Sequence, residues 1–483
     1  MHVTSRLQII ICLLISVSTV THASEREKTI SKQAVIEQIA NAYGGNTLIS
    51  MKSIIVHDRY KTITANGGVK PGLDAISQLH STLTVDFELG RKSVKNWSIN
   101  ARGKRLGQIM FDGESGWSIN YLRGSHVLRP DLNQHNVGAG MMRLLDTTVV
   151  RSLLDAGDLV NYEGYEYIGR KKHHKLSFKI NGKTDVTIYV NSSTGLINQM
   201  TQPNGSTYIY SDHKKSNGIT YASDTNQLRD GKAVMLTYSR TIEVNPIVST
   251  AFTLPKSTKA LEGMRDNSKL VVNKLDDDVY IAGLGNRSSL FVDAGDHYVA
   301  VGNLPGFKKR LQAVNDVVGA EKTVKYTVVS EHQGHMGALD ELAELGANFV
   351  TVAEHVPLLK SRLSQPLADE RFVLVEKQRA FANGKVEVFD IQTVTSDQFL
   401  LFYVPSVKLV YTMDEFGTNL LNSVPSGDKR TLSLRHAIEA LDIDVQQFAY
   451  VHGTGILSMT QLKQVTDGYI EGDCPEGHVI CSE

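Results

Sequence analysis

Cysteine is scarce, with three in 483 residues. Cys12 lies inside an apolar run near the start, behind Ile11 rather than a small residue, which argues against lipid attachment there. Cys474 and Cys481 stand together near the other end. In an exported chain such a pair reads as one disulfide closing a small loop. As a zinc set the pair is incomplete, because only His478 lies between its members. Charge of one sign is lacking too. Lys+Arg and Asp+Glu stand at 51 each, so there is no basic excess of the kind that binds nucleic acid. After residues 7–20 no long apolar run follows, and no membrane span is expected in the mature chain. Internal repeats and low-complexity tracts are absent. Gly453-Thr454-Gly455 has no Gly-rich continuation and is no phosphate loop.

What is present begins with an export signal. Arg6 supplies a positive start, residues 7–20 are mostly apolar, and Thr21-His22-Ala23 ends in a small residue suited to cleavage. The expectation is a signal peptide at 1–23 and a periplasmic or secreted protein. At about 100–200 residues per domain, the remainder predicts two or three domains.

Residues 30–43 read as a helix, with Ile36, Ile39, Ala40 and Tyr43 on one face and Gly44-Gly45 as its stop. From residue 52 to 255 the pattern turns to strands. Alternation is plain in Val186-Thr187-Ile188-Tyr189-Val190. Turn pairs such as Asp112-Gly113, Asn181-Gly182 and Asp230-Gly231 separate the strands. One helical stretch, 144–156, interrupts them. The basic run 170–174 reads as a solvated hairpin tip, and adjacent His173 and His174 would face opposite sides of a strand. Ala42-Tyr43-Gly44-Gly45, Phe111-Asp112-Gly113 with Gly116-Trp117, and Phe252-Thr253-Leu254-Pro255 together resemble the periplasmic lipoprotein-carrier fold. That resemblance implies a curved antiparallel sheet wrapped on a helix, an α+β domain at 24–258, and a cavity for an apolar ligand.

Residues 256–269 are polar and read as a linker. Beyond them strands and helices alternate, which argues for an α/β layer architecture. Residues 270–282 and 289–293 are expected strands, and 305–318 a helix. A strand at 325–329 feeds a loop with two histidines three apart, His332 and His335. Leu339, Leu342 and Leu345 then mark a helix face. A loop at the carboxyl end of a strand is where such folds place chemistry.

Several segments, in order, resemble the metallo-β-lactamase superfamily. They are Val292-Asp293-Ala294-Gly295, the histidine loop, residues 346–356, Tyr403-Val404-Pro405, Leu409 to Asp414, and Val451-His452-Gly453. The resemblance implies an αββα domain at 259–466 with a tail at 467–483. Of seven family metal positions, four keep a ligand type: His332, His335, Asp414 and His452. Ser330, Gly334 and Thr395 stand where the others would be. Two imidazoles and a carboxylate plus water form a known catalytic zinc set, so His335, Asp414 and His452 imply one zinc ion. Glu331, Glu354 or His355 could serve in place of the missing carboxylate. Two readings follow: a metal-dependent hydrolase acting on an ester, lactone or amide, or an inactive binding protein for an apolar or lipid-like ligand.

Overall fold

The computed structural model describes residues 30–262, 265–266, 268–329, 335–421, 424 and 426–481. The expected signal segment and His332 lie outside the described residues. No helix among those described is long and apolar enough to cross a membrane.

The chain opens with helix Lys32–Ala42, capped by the Ser31 side chain on Ala34 N–H. Val35, Ile39 and Tyr43 recur at helical spacing and are fully buried. A 14-stranded sheet follows. Strand Ser53–Thr64 pairs antiparallel with Ala75–Asp86 on one side and Lys232–Val244 on the other. Two meanders run outward from that junction, one in sequence order and one in reverse. Lys259–Ala260 adds a short parallel strand at the edge beside Ser125–Leu128. One core holds the helices against this sheet, with Tyr43, Leu153, Leu176, Ile188 and Tyr210 among its members. Inside it Arg240 forks onto Asp58, Nε to Oδ1 at 2.7 Å and Nη2 to Oδ2 at 3.0 Å, and Nη1 donates to the carbonyl oxygens of Leu144 and Ala222. A buried charge needs such pairing, because leaving it unmatched costs several kcal/mol.

The second half forms two further sheets, of seven and six strands, each in sequence order. Their alternation explains the layering. In strand Val279–Gly283, Val279 and Ile281 enter the core shared with the six-stranded sheet, whereas Tyr280 and Ala282 pack with Phe307, Leu311 and Val314 of helix Phe307–Val318. Strand Phe399–Val404 is buried throughout, because helix residues Leu434, Ile438 and Leu462 join the same core. The result is a helix–sheet–sheet–helix stack, the solution open to sheets whose two faces are both apolar.

Some expectations need correction. The helix expected over 144–156 starts at Asp146 and runs to Ala156; a separate helix, Ala139–Leu144, precedes it, with Leu145 extended between the two. Residues 270–282 form a hairpin, Val271–Asp276 and Val279–Gly283, turned through an acidic run that packs poorly in a strand. The basic run is a hairpin tip only at its start: Gly169 and Arg170 make the turn, with Gly169 at φ 60°, and the rest belongs to strand Lys171–Ile180. His173 and His174 are each only 2% exposed. Lys172 Nζ sits 3.7 Å from the centre of the Tyr165 ring, so an aromatic face stands in for water. The expected tail disulfide, Cys474–Cys481, is formed. The tail lies on the first sheet, where His80 Nδ1 is 3.0 Å from the Ile480 oxygen and Glu471 accepts from Lys104 N–H at 2.8 Å.

Candidate metal centre

Three strands deliver the site. Strand Thr323–Val328 belongs to the seven-stranded sheet, and the chain leaving it arrives at His335. Leu409–Thr412 and Gln447–Tyr450 are parallel neighbours in the six-stranded sheet, so their carboxyl ends open on the same side. Asp414 lies two residues beyond the first and His452 two residues beyond the second. The junction is the crevice at strand ends where open α/β sheets bind ligands.

His335, Asp414 and His452 offer one ligand atom each, all within 4.8 Å of one another. His335 Nε2 is 3.4 Å from His452 Nε2. Asp414 Oδ1 is 3.7 Å from the first and 3.3 Å from the second. Ligands bound tetrahedrally at about 2.0–2.2 Å stand about 3.3–3.6 Å apart, so two of the three separations match a zinc-sized ion and the third needs only a slight closing. His335 is buried, and Asp414 and His452 are partly open, which leaves access for a fourth group.

The orientation of His452 is set from behind. Its Nδ1 lies 2.9 Å from the Asn286 carbonyl oxygen. A carbonyl only accepts, so Nδ1 carries a proton and Nε2 is the nitrogen left facing the site. The Tyr450 ring packs edge-on against the same imidazole at 5.4 Å. Asp414 divides its two oxygens. Oδ1 faces the histidines, and Oδ2 meets Arg102 Nη2 at 3.4 Å. Burial pushes its carboxyl up, but His452, His335, Arg102 and Arg430 outweigh burial and hold it well below the ordinary carboxylate range. The group is a carboxylate at every pH at which the chain would work.

The remaining sequence candidates fall out as follows. His332, Glu331, Ser330 and Gly334 lie outside the described residues. Thr395 is buried, and its hydroxyl donates to Glu415 Oε1 at 3.2 Å. Glu354 is exposed and helps to raise the carboxyl of Asp390. His355 is buried. Sequence reasoning missed Glu415, which is 1% exposed directly beside Asp414; the adjacent Asp-Glu pair after an apolar strand was its only trace. It also missed Arg102 and Arg430. Arg102 lies in the turn between strands Arg91–Asn100 and Gly103–Phe111 of the first sheet, over 300 residues from Asp414 in sequence. No pattern along the chain signals that meeting.

No family model matches this chain, and no curated protein matches it. Among solved structures it is similar to TMB-1, at 16% identity and a TM-score of 0.32, over 41% of this chain and 95% of that one. It is similar to DIM-1 metallo-beta-lactamase at 15% identity and a TM-score of 0.32, over 41% and 95%. A metallo-beta-lactamase from Hirschia baltica gives 16% identity and a TM-score of 0.31, over 41% and 96%. Scores at this level establish nothing about this chain, and its own residues carry the reading of the site.

Proposed function

We propose that this protein is an exported, metal-dependent hydrolase of the metallo-β-lactamase fold with a depleted, single-metal site. The observation that carries this reading is the convergence of His335 Nε2, His452 Nε2 and Asp414 Oδ1 at separations suited to one tetrahedral ion. In this reading residues 1–23 are the export signal and 259–466 the metallo-β-lactamase-like domain. Residues 24–258 form a lipoprotein-carrier-like domain, and 467–483 a disulfide-closed tail. His332, Asp414, His335 and His452 are the available ligand types, and the last three suffice for one ion.

Zinc in a set of two imidazoles and a carboxylate supplies Lewis acidity toward a water and toward the carbonyl of an ester, lactone or amide. The chain's own residues do the rest. Asn286 holds His452 in the ligating tautomer. Arg102 holds Asp414 so that one oxygen stays turned toward the histidines. Glu415, which accepts a hydrogen bond from Thr395, is the nearest additional carboxylate in sequence and is the candidate for the proton acceptor that the three ligands do not supply.

A second reading has one observation in its favour. An open groove of about 840 Å³ beside helix Asp146–Ala156 is lined by Leu159, which is exposed, and by Phe178 and Val186, which lie buried at its floor. In that reading the first half carries an apolar ligand and the second half is inactive. Elemental analysis of the purified mature chain after zinc reconstitution separates the two. About one equivalent, lost in His335→Ala/His452→Ala, supports the hydrolase. A chain that holds no metal transfers the weight to ligand carriage.

A further inference from the structure

A cleft of about 730 Å³ opens between the first sheet and the helix–sheet–sheet–helix stack. One wall is the turn and strand that carry Arg102 and Arg105, and the other is the segment of Ser426 to Arg430 with Thr395 behind it. The two halves are tied across its ends. Arg102 reaches Asp414, Arg123 donates to the Gly427 carbonyl, and Lys70 pairs with Asp397 at 3.4 Å. Arg102, on the cleft wall, is thus the link between this interface and the candidate metal ligand Asp414.

Its charges do not cancel. Arg430 is matched by Asp428, with two hydrogen bonds of 3.0 and 2.8 Å, and Asp428 also caps the helix that follows. Lys104 is matched by Asp473 at 2.6 Å. Asp74, the other acid on the lining, accepts from Asn66 N–H at 3.0 Å. The Arg105 side chain makes no hydrogen bond and no salt bridge among the described residues, and it is exposed on the cleft lining. The cleft walls strip part of its hydration, and the guanidiniums of Arg430 and Arg102 press on it, so its charge is disfavoured, with Asp428 only partly offsetting them. A planar fork of donors left unpaired on a cleft wall that also carries Arg102 and Arg430 is a site for an anion, which would supply the counter-charge Arg105 lacks. Leu73 and Ile76 on the same lining are 51% and 60% exposed, which suits an apolar portion of the same ligand. The volume is that of a small-molecule site.

We propose that this cleft binds the anionic group of a small organic molecule, a carboxylate or a phosphate, with Arg105 as its contact and Arg102 standing between that group and Asp414. The word substrate applies to this molecule only if the hydrolase reading holds; the anion site itself needs no metal. It narrows the hydrolase's substrates to esters, lactones or amides that carry a negative charge, and it assigns part of the binding to the first sheet.

The test is calorimetric titration of benzoate and of inorganic phosphate into the metal-stripped full mature chain, into Arg105→Ala and into Arg105→Lys. Wild type should bind at least one of the two anions, more weakly as salt rises. Arg105→Ala should weaken that binding by at least about tenfold, and Arg105→Lys should recover part of it. Benzoate alone would assign a carboxylate, and phosphate alone a phosphate. Unchanged binding in Arg105→Ala, with thermal melting equal to wild type, overturns the proposal, as does a wild type that binds neither anion. Zinc is absent throughout, so this result and the metal analysis fail separately.

Discussion

The Asn286 carbonyl oxygen stands 2.9 Å from His452 Nδ1, on the side of the ring away from Asp414. With a proton fixed there, Nε2 is the nitrogen that faces Asp414 Oδ1 at 3.3 Å, and between them lies either a second proton or a cation. Two acceptors so placed repel unless a proton or a cation lies between them. Zinc should therefore raise the melting temperature of wild type, by the equivalent of about 2.7 kcal/mol at one hundred times its dissociation constant. His452→Ala and His335→Ala should each lose most of that shift in thermal scans with and without zinc. A shift that survives both substitutions would place the ion elsewhere.

Gly417→Ala should harm both stability and site. A Cβ at that position would run into Cβ and Cγ of the Tyr450 side chain, the root of a ring that is not a flexible end. The Tyr450 ring packs on His452. The expected cost is about 1–3 kcal/mol in denaturant unfolding, with weaker zinc uptake than wild type. Normal uptake would mean that the ring does not position the histidine.

Asp390 gives a pH signature. Burial, with Glu354 adding repulsion, pushes its carboxyl up to about 6, and Gln398 only partly offsets this. Below about pH 4 both folded and unfolded chains hold the proton, and the residue costs nothing. As pH rises through 4 to 6 the folded chain binds more protons than the unfolded one, so stability falls; above 6 the penalty is complete. Asp390→Asn should thus be more stable than wild type at pH 8, by about 1–2 kcal/mol after allowance for partial exposure. The gain should vanish near pH 4. Parallel melts at the two pH values check this, and a gain independent of pH would point to packing instead.

The Asp58–Arg240 fork lies fully inside the first half. Asp58→Ala leaves a buried guanidinium without its counter-charge and should cost about 3–5 kcal/mol. Asp58→Leu with Arg240→Met should recover only part, because the Leu144 and Ala222 carbonyls lose donors. Urea unfolding of the three chains gives the comparison. Equal stability of wild type and Asp58→Ala would show that the carbonyls alone satisfy Arg240.

The strands around the site were legible because their apolar residues alternate or run continuously. Val279 to Ala282 and Phe399 to Val404 announce buried sheets from composition alone. Errors fell where local chemistry admits two outcomes. The 171–174 run is charged enough for a loop, yet tyrosine faces and a neighbouring strand bury its histidines. Leu145 fits a helix by propensity and is extended.

His335, Asp414 and His452 could be picked out by residue type and by their place after apolar strands. Along the chain, then, the sequence determined the candidate ligands, the strand pattern and the cysteine pair, since each depends on neighbours a few residues away. Tertiary structure alone decided that three ligand atoms lie within one ion's reach. It also brought Arg102 to Asp414 and left Arg105 unmatched in the cleft. Contacts between residues hundreds of positions apart are set by how sheets pack on one another, and that packing leaves no periodic trace in either segment.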